Sequence, residues 1–125
     1  MTTHLTGVHT VAVPVADHDR ALDFYAGTLD CEVLFDEELR PGMRWAEVAP
    51  PGATTSIALV GPEGDRQPGT DTGIRLVSAD AVADHATLTA AGADVGELLR
   101  WDGVPPMFVL RDVDGNTLYV MELPG

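Results

Sequence analysis

The chain has 125 residues, of which 45% are hydrophobic, so it can bury one core and we predict a single domain. Twenty acidic residues against seven basic ones give a net charge of −13, which repels nucleic acids and anionic membrane surfaces. All the basic residues are arginines, and the absence of lysine excludes a Schiff-base enzyme and a P-loop nucleotide site.

Cysteine use and hydropathy indicate a cytoplasmic protein. Cys31 is the single cysteine, so the chain has no internal disulfide and no CxxC motif for zinc or redox chemistry. The longest apolar runs, such as SIALV, are too short to cross a bilayer, and the opening MTTHLTG lacks the basic and apolar regions of a signal peptide.

The first half of the chain predicts one strand, one helix and then three strands. GVHTVAVPV alternates as a strand, and Asp17 is a plausible N-cap for an amphipathic helix over about 18–28. The strand-like runs CEVLFDE, MRWAEVAP and TTSIALVG follow, separated by the turn signals RPG and PPG. These elements form a first module over about 5–61.

The second half repeats this order after a connector rich in glycine and proline, over about 62–71. A strand ends at Val77, Asp80 can cap a helix that runs to about Ala91, and the strands ADVGELL, PPMFVLRD and GNTLYVMEL follow. The second module therefore spans about 72–125. We predict an α+β fold in which two βαβββ modules form a cup-shaped, partly open eight-stranded sheet with helices on the outside.

The first strand carries one imidazole among apolar side chains. Alternation places His9 on the same face as Val11, Val13 and Val15, which predicts an inner surface. A lone histidine in such a place is more often a hydrogen-bonded structural residue than a ligand, because metal sites need three or four convergent ligands.

The sequence resembles the vicinal oxygen chelate superfamily, which includes glyoxalase I, fosfomycin-resistance enzymes, extradiol dioxygenases and bleomycin-binding resistance proteins. The resemblance rests on VHTVAVPVADHDRALDFYAGTLDCEV at the start, FVLRDVDGNTLYVMEL at the end, and the paired modules between them. It implies four inward positions that hold a divalent metal in the metal-dependent members. They fall on His9, near Ala58, near Gly73 and near Tyr119.

The residues at these positions do not make the usual metal site. Alanine and glycine have no donor atom, and a neutral phenol is a poor ligand for a hard cation. We therefore expect no cofactor, although a divalent metal held by His9, Glu47 and Glu122 is the alternative. Glu122 lies three residues after Tyr119 and is one residue off the ligand register, so alternation points it to the opposite face.

The remaining inward positions predict a binding surface for a small aromatic or anionic molecule. Alternation points Arg75 inward, where a ligand anion or an ion pair with Glu47 would compensate its burial. Aromatic and apolar walls come from Trp45, Met107, Val109 and Tyr119, and His9 and Glu47 complete the candidate site. The other histidines are predicted to face solvent: His4, His18 and His85.

Three functions are consistent with this surface. The first is a metal-independent protein that binds a small organic molecule, as the resemblance to bleomycin-resistance proteins implies. The second is a glyoxalase, lyase, isomerase or dioxygenase-type enzyme with unorthodox metal ligands, and the third is a metal-free catalyst with His9 as general base and Arg75 or Tyr119 stabilising negative charge. For each we expect a homodimer, because an open cup leaves sheet edges that a partner can cover.

Overall fold

The computed structural model describes residues 2–123. Met1 and Gly125, the two ends of the predicted domain, therefore lie outside the described residues. The elements follow the predicted order, with one strand more in the second half. The strands are β1 Thr10–Pro14, β2 Glu32–Arg40, β3 Met43–Ala49, β4 Ser56–Val60, β5 Asp71–Ser78, β6 Asp94–Val95, β7 Leu99–Trp101, β8 Val104–Arg111 and β9 Thr117–Glu122. Within residues 2–123, no helix has the length and hydropathy needed to cross a membrane.

The first module is a four-stranded mixed sheet in the order β1-β4-β3-β2, with β1 parallel to β4. Asp17 caps helix α1, His18–Leu22, by accepting a hydrogen bond from the backbone N of Arg20 at 3.2 Å, as predicted. The predicted helix over 18–28 does not stay α-helical, because Asp23–Thr28 continue it as a π-helix. This segment contributes Phe24 and Tyr25 to the core.

The second module is a mixed sheet in the order β5-β9-β8-β6, with β7 also paired to β8. Asp80 caps helix α2, Ala81–Ala90, by accepting from the backbone N of Ala83 at 3.0 Å. The predicted strand ADVGELL is divided into β6 and β7. Gly96 lies between them, and its backbone N donates to Val109 O at 2.8 Å.

One hydrophobic core lies beneath the helix-covered faces of both sheets, and the predicted α+β fold is confirmed. Its largest fully buried side chains come from both modules: Tyr25, Leu59, Phe108, Leu110 and Leu118. The sheets themselves stay separate, since no strand of one pairs with a strand of the other within residues 2–123.

A buried polar network joins the two modules. The Asp112 carboxyl group accepts four hydrogen bonds: from the Tyr25 hydroxyl at 2.7 Å, from Asn116 Nδ2 and N at 3.0 Å each, and from Asp114 N at 2.9 Å. Asn116 Nδ2 also donates to the carbonyl of Pro14 at 2.8 Å. The DVDG turn therefore fixes the first module against the last strand, which gives this turn a structural role.

Candidate functional site

Each sheet has one face that no helix covers, and the strand register identifies the residues on it. Side chains of paired residues on neighbouring strands point to the same side. On the first sheet this open face carries Trp45 and Glu47 on β3, and Ala58, which pairs with Glu47, on β4. The other residues in register with them are Thr10, Ala12, Phe35 and Ser56.

Glu47 is the central polar group of this face. Trp45 Nε1 donates to Glu47 Oε2 at 2.9 Å, and the Ser56 hydroxyl donates to Glu47 Oε1 at 2.8 Å. These bonds, together with the nearby imidazole of His9, hold the pKa of the carboxyl group below its ordinary value of 4.5. The Ser56 hydroxyl is also 2.8 Å from Thr10 Oγ1, so the polar residues form one connected cluster.

His9 does not lie on the face that was predicted for it. Strand β1 begins at Thr10, and Val13 and Val15 are fully buried in the helix-covered core. The His9 side chain is 82% exposed, and its Nε2 is 3.5 Å from Glu47 Oε1. His9 therefore borders the open face as a flanking group, while Thr10 occupies the strand position that points onto it.

The open face of the second sheet brings together the other predicted residues. Tyr119 pairs with Arg75 on one side and with Val109 on the other, and Met107 is in the same register. The Arg75 guanidinium carbon lies 4.5 Å from the centre of the Tyr119 ring. The Tyr119 hydroxyl donates to Asp71 Oδ2 at 2.7 Å, which lowers the pKa of Asp71 and raises that of Tyr119.

The expectation of a buried Arg75 is wrong for the single chain, in which Arg75 is exposed. Its guanidinium donates to the carbonyl of Gly73 at 2.7 Å and stacks on Tyr119. The ion pair with Glu47 is not formed among the described residues. The reason is that the two open faces belong to separate sheets, which alternation within one strand cannot show.

The residues at the four positions that the family resemblance implies for a metal do not offer a set of donors that fits a divalent ion. Ala58 and Gly73 carry no donor atom, and the Tyr119 phenol already donates to Asp71. Glu122 accepts a hydrogen bond from the backbone N of Ala81 at 3.0 Å, so its carboxylate is engaged at the start of helix α2. Across residues 2–123, no group of three or more histidine, cysteine or acidic side chains is arranged to hold a metal.

Two of the histidines predicted to face solvent are half-buried and structural. His18 Nε2 lies 3.0 Å from the carbonyl oxygen of Leu59, and His85 Nε2 lies 2.8 Å from that of Gly96. His85 also packs edge-on against Phe108, with ring centres 5.0 Å apart. His4 is exposed, as expected.

A cleft of about 810 Å³ opens beside Trp45. Ala12 and Val60 lie next to Trp45 in its lining, and the loop between β2 and β3 forms one wall. The opposite wall comes from the connector, where Arg66 donates to the carbonyl of Ala12 at 2.7 Å. The connector thus shapes the cleft as well as joining the modules.

Sequence reasoning missed three polar residues of the open faces, namely Thr10, Ser56 and Asp71. Thr10 on β1 pairs with Ser56 on β4. The Ser56 hydroxyl contacts both Thr10 Oγ1 and Glu47 Oε1, so it links Thr10 to the carboxylate. The signal that could have found Ser56 is its position two residues before Ala58, which places both on one face of β4. Asp71 precedes the apolar part of its strand, so nothing local indicated its bond to Tyr119.

Comparison with known proteins identifies the family. A model of the glyoxalase/bleomycin resistance protein/dioxygenase superfamily matches residues 7–120. No match to a curated protein was found.

Solved structures with the same fold include three from bacteria. A member of the same superfamily from Sphaerobacter thermophilus DSM 20745 is 36% identical, with 97% of this chain and 100% of that chain covered and a TM-score of 0.90. TnmS3, an antibiotic binding protein from Streptomyces sp. CB03234, is 32% identical, with coverages of 97% and 98% and a TM-score of 0.88. A glyoxalase/bleomycin resistance protein from the same Streptomyces strain is 33% identical, with coverages of 92% and 99% and a TM-score of 0.82.

Proposed function

We propose, from the premise that this chain belongs to the glyoxalase/bleomycin resistance protein/dioxygenase superfamily, that it binds a small organic molecule with an aromatic body. The similarity to an antibiotic binding protein at 32% identity over nearly the whole chain supports a binding role. The observation that carries the proposal is the open face of the first sheet. It presents an indole that lines a cleft of about 810 Å³, and an ionised carboxylate that is bonded to this indole just outside the lining.

This cleft has the dimensions of a ligand site. Pockets for small molecules usually measure about 300–1,000 Å³, with mainly apolar walls and a few fixed polar groups. Trp45 supplies a flat aromatic surface in the lining, and Glu47, which adjoins Trp45 outside the lining, is held in one orientation by two donors. An aromatic ligand is favoured over an anionic one, because Arg75 is exposed and stacked on Tyr119. Its charge is therefore solvated and does not need a ligand anion to compensate it.

Two copies of the chain complete the binding cup in this proposal. Apolar side chains remain exposed on both open faces, with Phe35 37% and Val77 60% exposed. Exposed apolar surface of this kind is typical of an interface. We expect the first sheet of one protomer to face the second sheet of its partner, so that a ligand would contact both. Light scattering at micromolar concentration should give the mass of a dimer, and the mass of one chain would contradict this part of the proposal.

The proposal includes ligand binding without a resident metal. It is supported by the chemistry of the fold's metal positions, where Ala58 and Gly73 provide no donor atom. Cytoplasmic location is supported by the single, buried Cys31. Elemental analysis of protein purified without chelator should find no stoichiometric transition metal, and one metal per chain would favour the enzyme alternative.

Tryptophan fluorescence tests the binding role, since the chain has only two tryptophans. Trp101→Phe leaves Trp45 as the reporter on the open face, and Trp45→Phe leaves the exposed Trp101 as the control. Titration with bleomycin and with fused-ring aromatic antibiotics should quench Trp45 emission to saturation. Calorimetry of the same mixtures guards against absorption by the ligand, and absence of saturable heat with every compound would overturn the proposed function.

A further inference from the structure

We infer that Glu47 is a specificity-determining residue that selects ligands carrying a protonated amine next to their aromatic body. This inference rests on the proposed function, because it names the ligand class for the same open face. The structural basis is a carboxylate held rigidly by protein donors, with part of its acceptor capacity unused and an indole ring fixed beside it.

The Glu47 carboxylate has free acceptor capacity. An ionised carboxylate can accept about four hydrogen bonds. The protein supplies two, one from Trp45 to Oε2 and one from Ser56 to Oε1. The side chain is 14% exposed, so its outer edge reaches the open face. A donor arriving from this face can therefore complete the coordination of the carboxylate without displacing either of these two donors.

The two internal donors also fix the charge and the direction of the carboxylate. They hold its pKa below the ordinary value, so Glu47 is ionised at neutral pH. A charge-assisted bond from an ammonium group to such a carboxylate is about twice as strong as a neutral hydrogen bond. Because Glu47 is already oriented, the ligand does not have to order it on binding.

No strong internal cation competes for Glu47 among the described ion pairs. Arg44 is engaged by Asp36 at 2.9 Å and by Asp19 at 2.8 Å. His9, at 3.5 Å from Glu47 Oε1, is the one basic side chain paired with it, and it is 82% exposed. An incoming ammonium group can displace this flanking imidazole at little cost, because the His9 side chain is mostly surrounded by water.

The indole of Trp45 provides the second half of the recognition. Its bond to Glu47 holds the ring next to the carboxylate, so a ligand that stacks on Trp45 brings its substituent to Glu47. The face of an indole also attracts cations directly. The net charge of −13 adds attraction at longer range for a cationic ligand and repels an anionic one.

Three probes with one aromatic body and different charges test the inference. They are 2-naphthylmethylamine, which is cationic at neutral pH, 2-naphthylmethanol, which is neutral, and 2-naphthoate, which is anionic. Calorimetry at low ionic strength should show the amine binding about tenfold or more tighter than the alcohol, the difference expected for one charge-assisted bond. The naphthoate should bind weakest.

Matched variants assign the preference to one residue. Glu47→Gln keeps the size of the side chain and removes its charge, so the amine should lose its advantage over the alcohol. Glu97→Gln removes the same charge from an exposed loop and should leave the preference intact. Circular dichroism and urea unfolding of both variants establish that each is folded.

The outcomes separate this inference from the proposed function. Equal binding of amine and alcohol by the wild type, or an amine preference retained in Glu47→Gln, would overturn the inference, while binding of any probe would still support the function. Failure of all three probes to bind would also overturn the inference, since it requires the amine to bind. The antibiotic titration with Trp45 as reporter then decides the proposed function independently.

Discussion

Two carboxyl groups of this chain show how one fold treats a structural site and a candidate binding site differently. Asp112, at the junction of the modules, is 5% exposed and accepts four hydrogen bonds from the protein. Glu47, on the open face of the first sheet, accepts two. Because an ionised carboxylate can accept about four, Asp112 is saturated and Glu47 is not. A carboxylate with unused acceptor sites can thus accept hydrogen bonds from a ligand, whereas a carboxylate whose sites are all filled by the protein only holds the fold.

The largest expected effect is on stability at the saturated group. Asp112→Ala leaves several buried donors without an acceptor and should lower the free energy of unfolding by about 3–5 kcal/mol. Glu47→Ala should cost about 1 kcal/mol, because the half-buried Trp45 can turn to water and the Ser56 hydroxyl keeps Thr10 Oγ1, at 2.8 Å, as an acceptor. Urea denaturation of both variants measures the two values. A cost for Glu47→Ala equal to that of Asp112→Ala would break the comparison.

Two tyrosines give a smaller and closely matched test. Tyr25 donates to Asp112 and Tyr119 donates to Asp71, each at 2.7 Å, but the first bond is buried and the second is exposed. Tyr25→Phe should reduce the free energy of unfolding by about 1–2 kcal/mol. Tyr119→Phe should leave the urea midpoint unchanged, since water replaces the lost bond. The reverse order would show that burial does not determine the strength of these bonds.

The pH dependence of stability sharpens the comparison at Glu47 itself. The folded-state pKa of Glu47 is below the ordinary value of 4.5, so ionised Glu47 stabilises the fold above about pH 4.5, and this contribution is lost as the pH falls through the folded pKa. From about pH 5 down to about pH 3, the difference in unfolding free energy between wild type and Glu47→Gln should shrink as the Glu47 carboxylate takes up a proton. Urea titrations across this range measure it, and Glu97→Gln is the control. A difference that grows on acidification would have the wrong sign.

Added metal should have the smallest effect on stability and activity. Glu47 is a single acidic donor beside Ala58, and Asp112 has no acceptor capacity left for a cation. We expect zinc, nickel or manganese to leave the unfolding temperature unchanged and to produce no turnover in a glyoxalase assay. Stabilisation that disappears in His9→Ala would instead identify a metal site and favour the enzyme alternative.

The parts of the fold that depend on local sequence could be predicted well. Asp17 and Asp80 cap the two helices as expected, because a cap is decided within three or four residues. Alternation likewise placed Arg75 and Tyr119 on one face of the second sheet. These features need no knowledge of how the modules pack.

The parts that depend on packing between elements could not be predicted. Strand alternation gives His9 the wrong face, because His9 precedes β1 and the chain does not follow the alternation there. The exposure of Arg75 depends on the separation of the two sheets, and the sequence of a single strand does not reveal this separation. The Thr10, Ser56 and Glu47 cluster likewise requires the register of three strands.

The bond from Asn116 to the carbonyl of Pro14 joins residues 102 positions apart, and this has a consequence during protein synthesis. The first module leaves the ribosome before Thr117–Glu122 and the rest of the second sheet have been made, so Phe24 and Tyr25 lack their final packing partners. Domains form in the order of translation, and exposed apolar surface in a partial chain favours association. We expect nascent chains that end near the connector to need chaperone protection, and released full-length chains to become independent of it once Asn116 reaches Pro14.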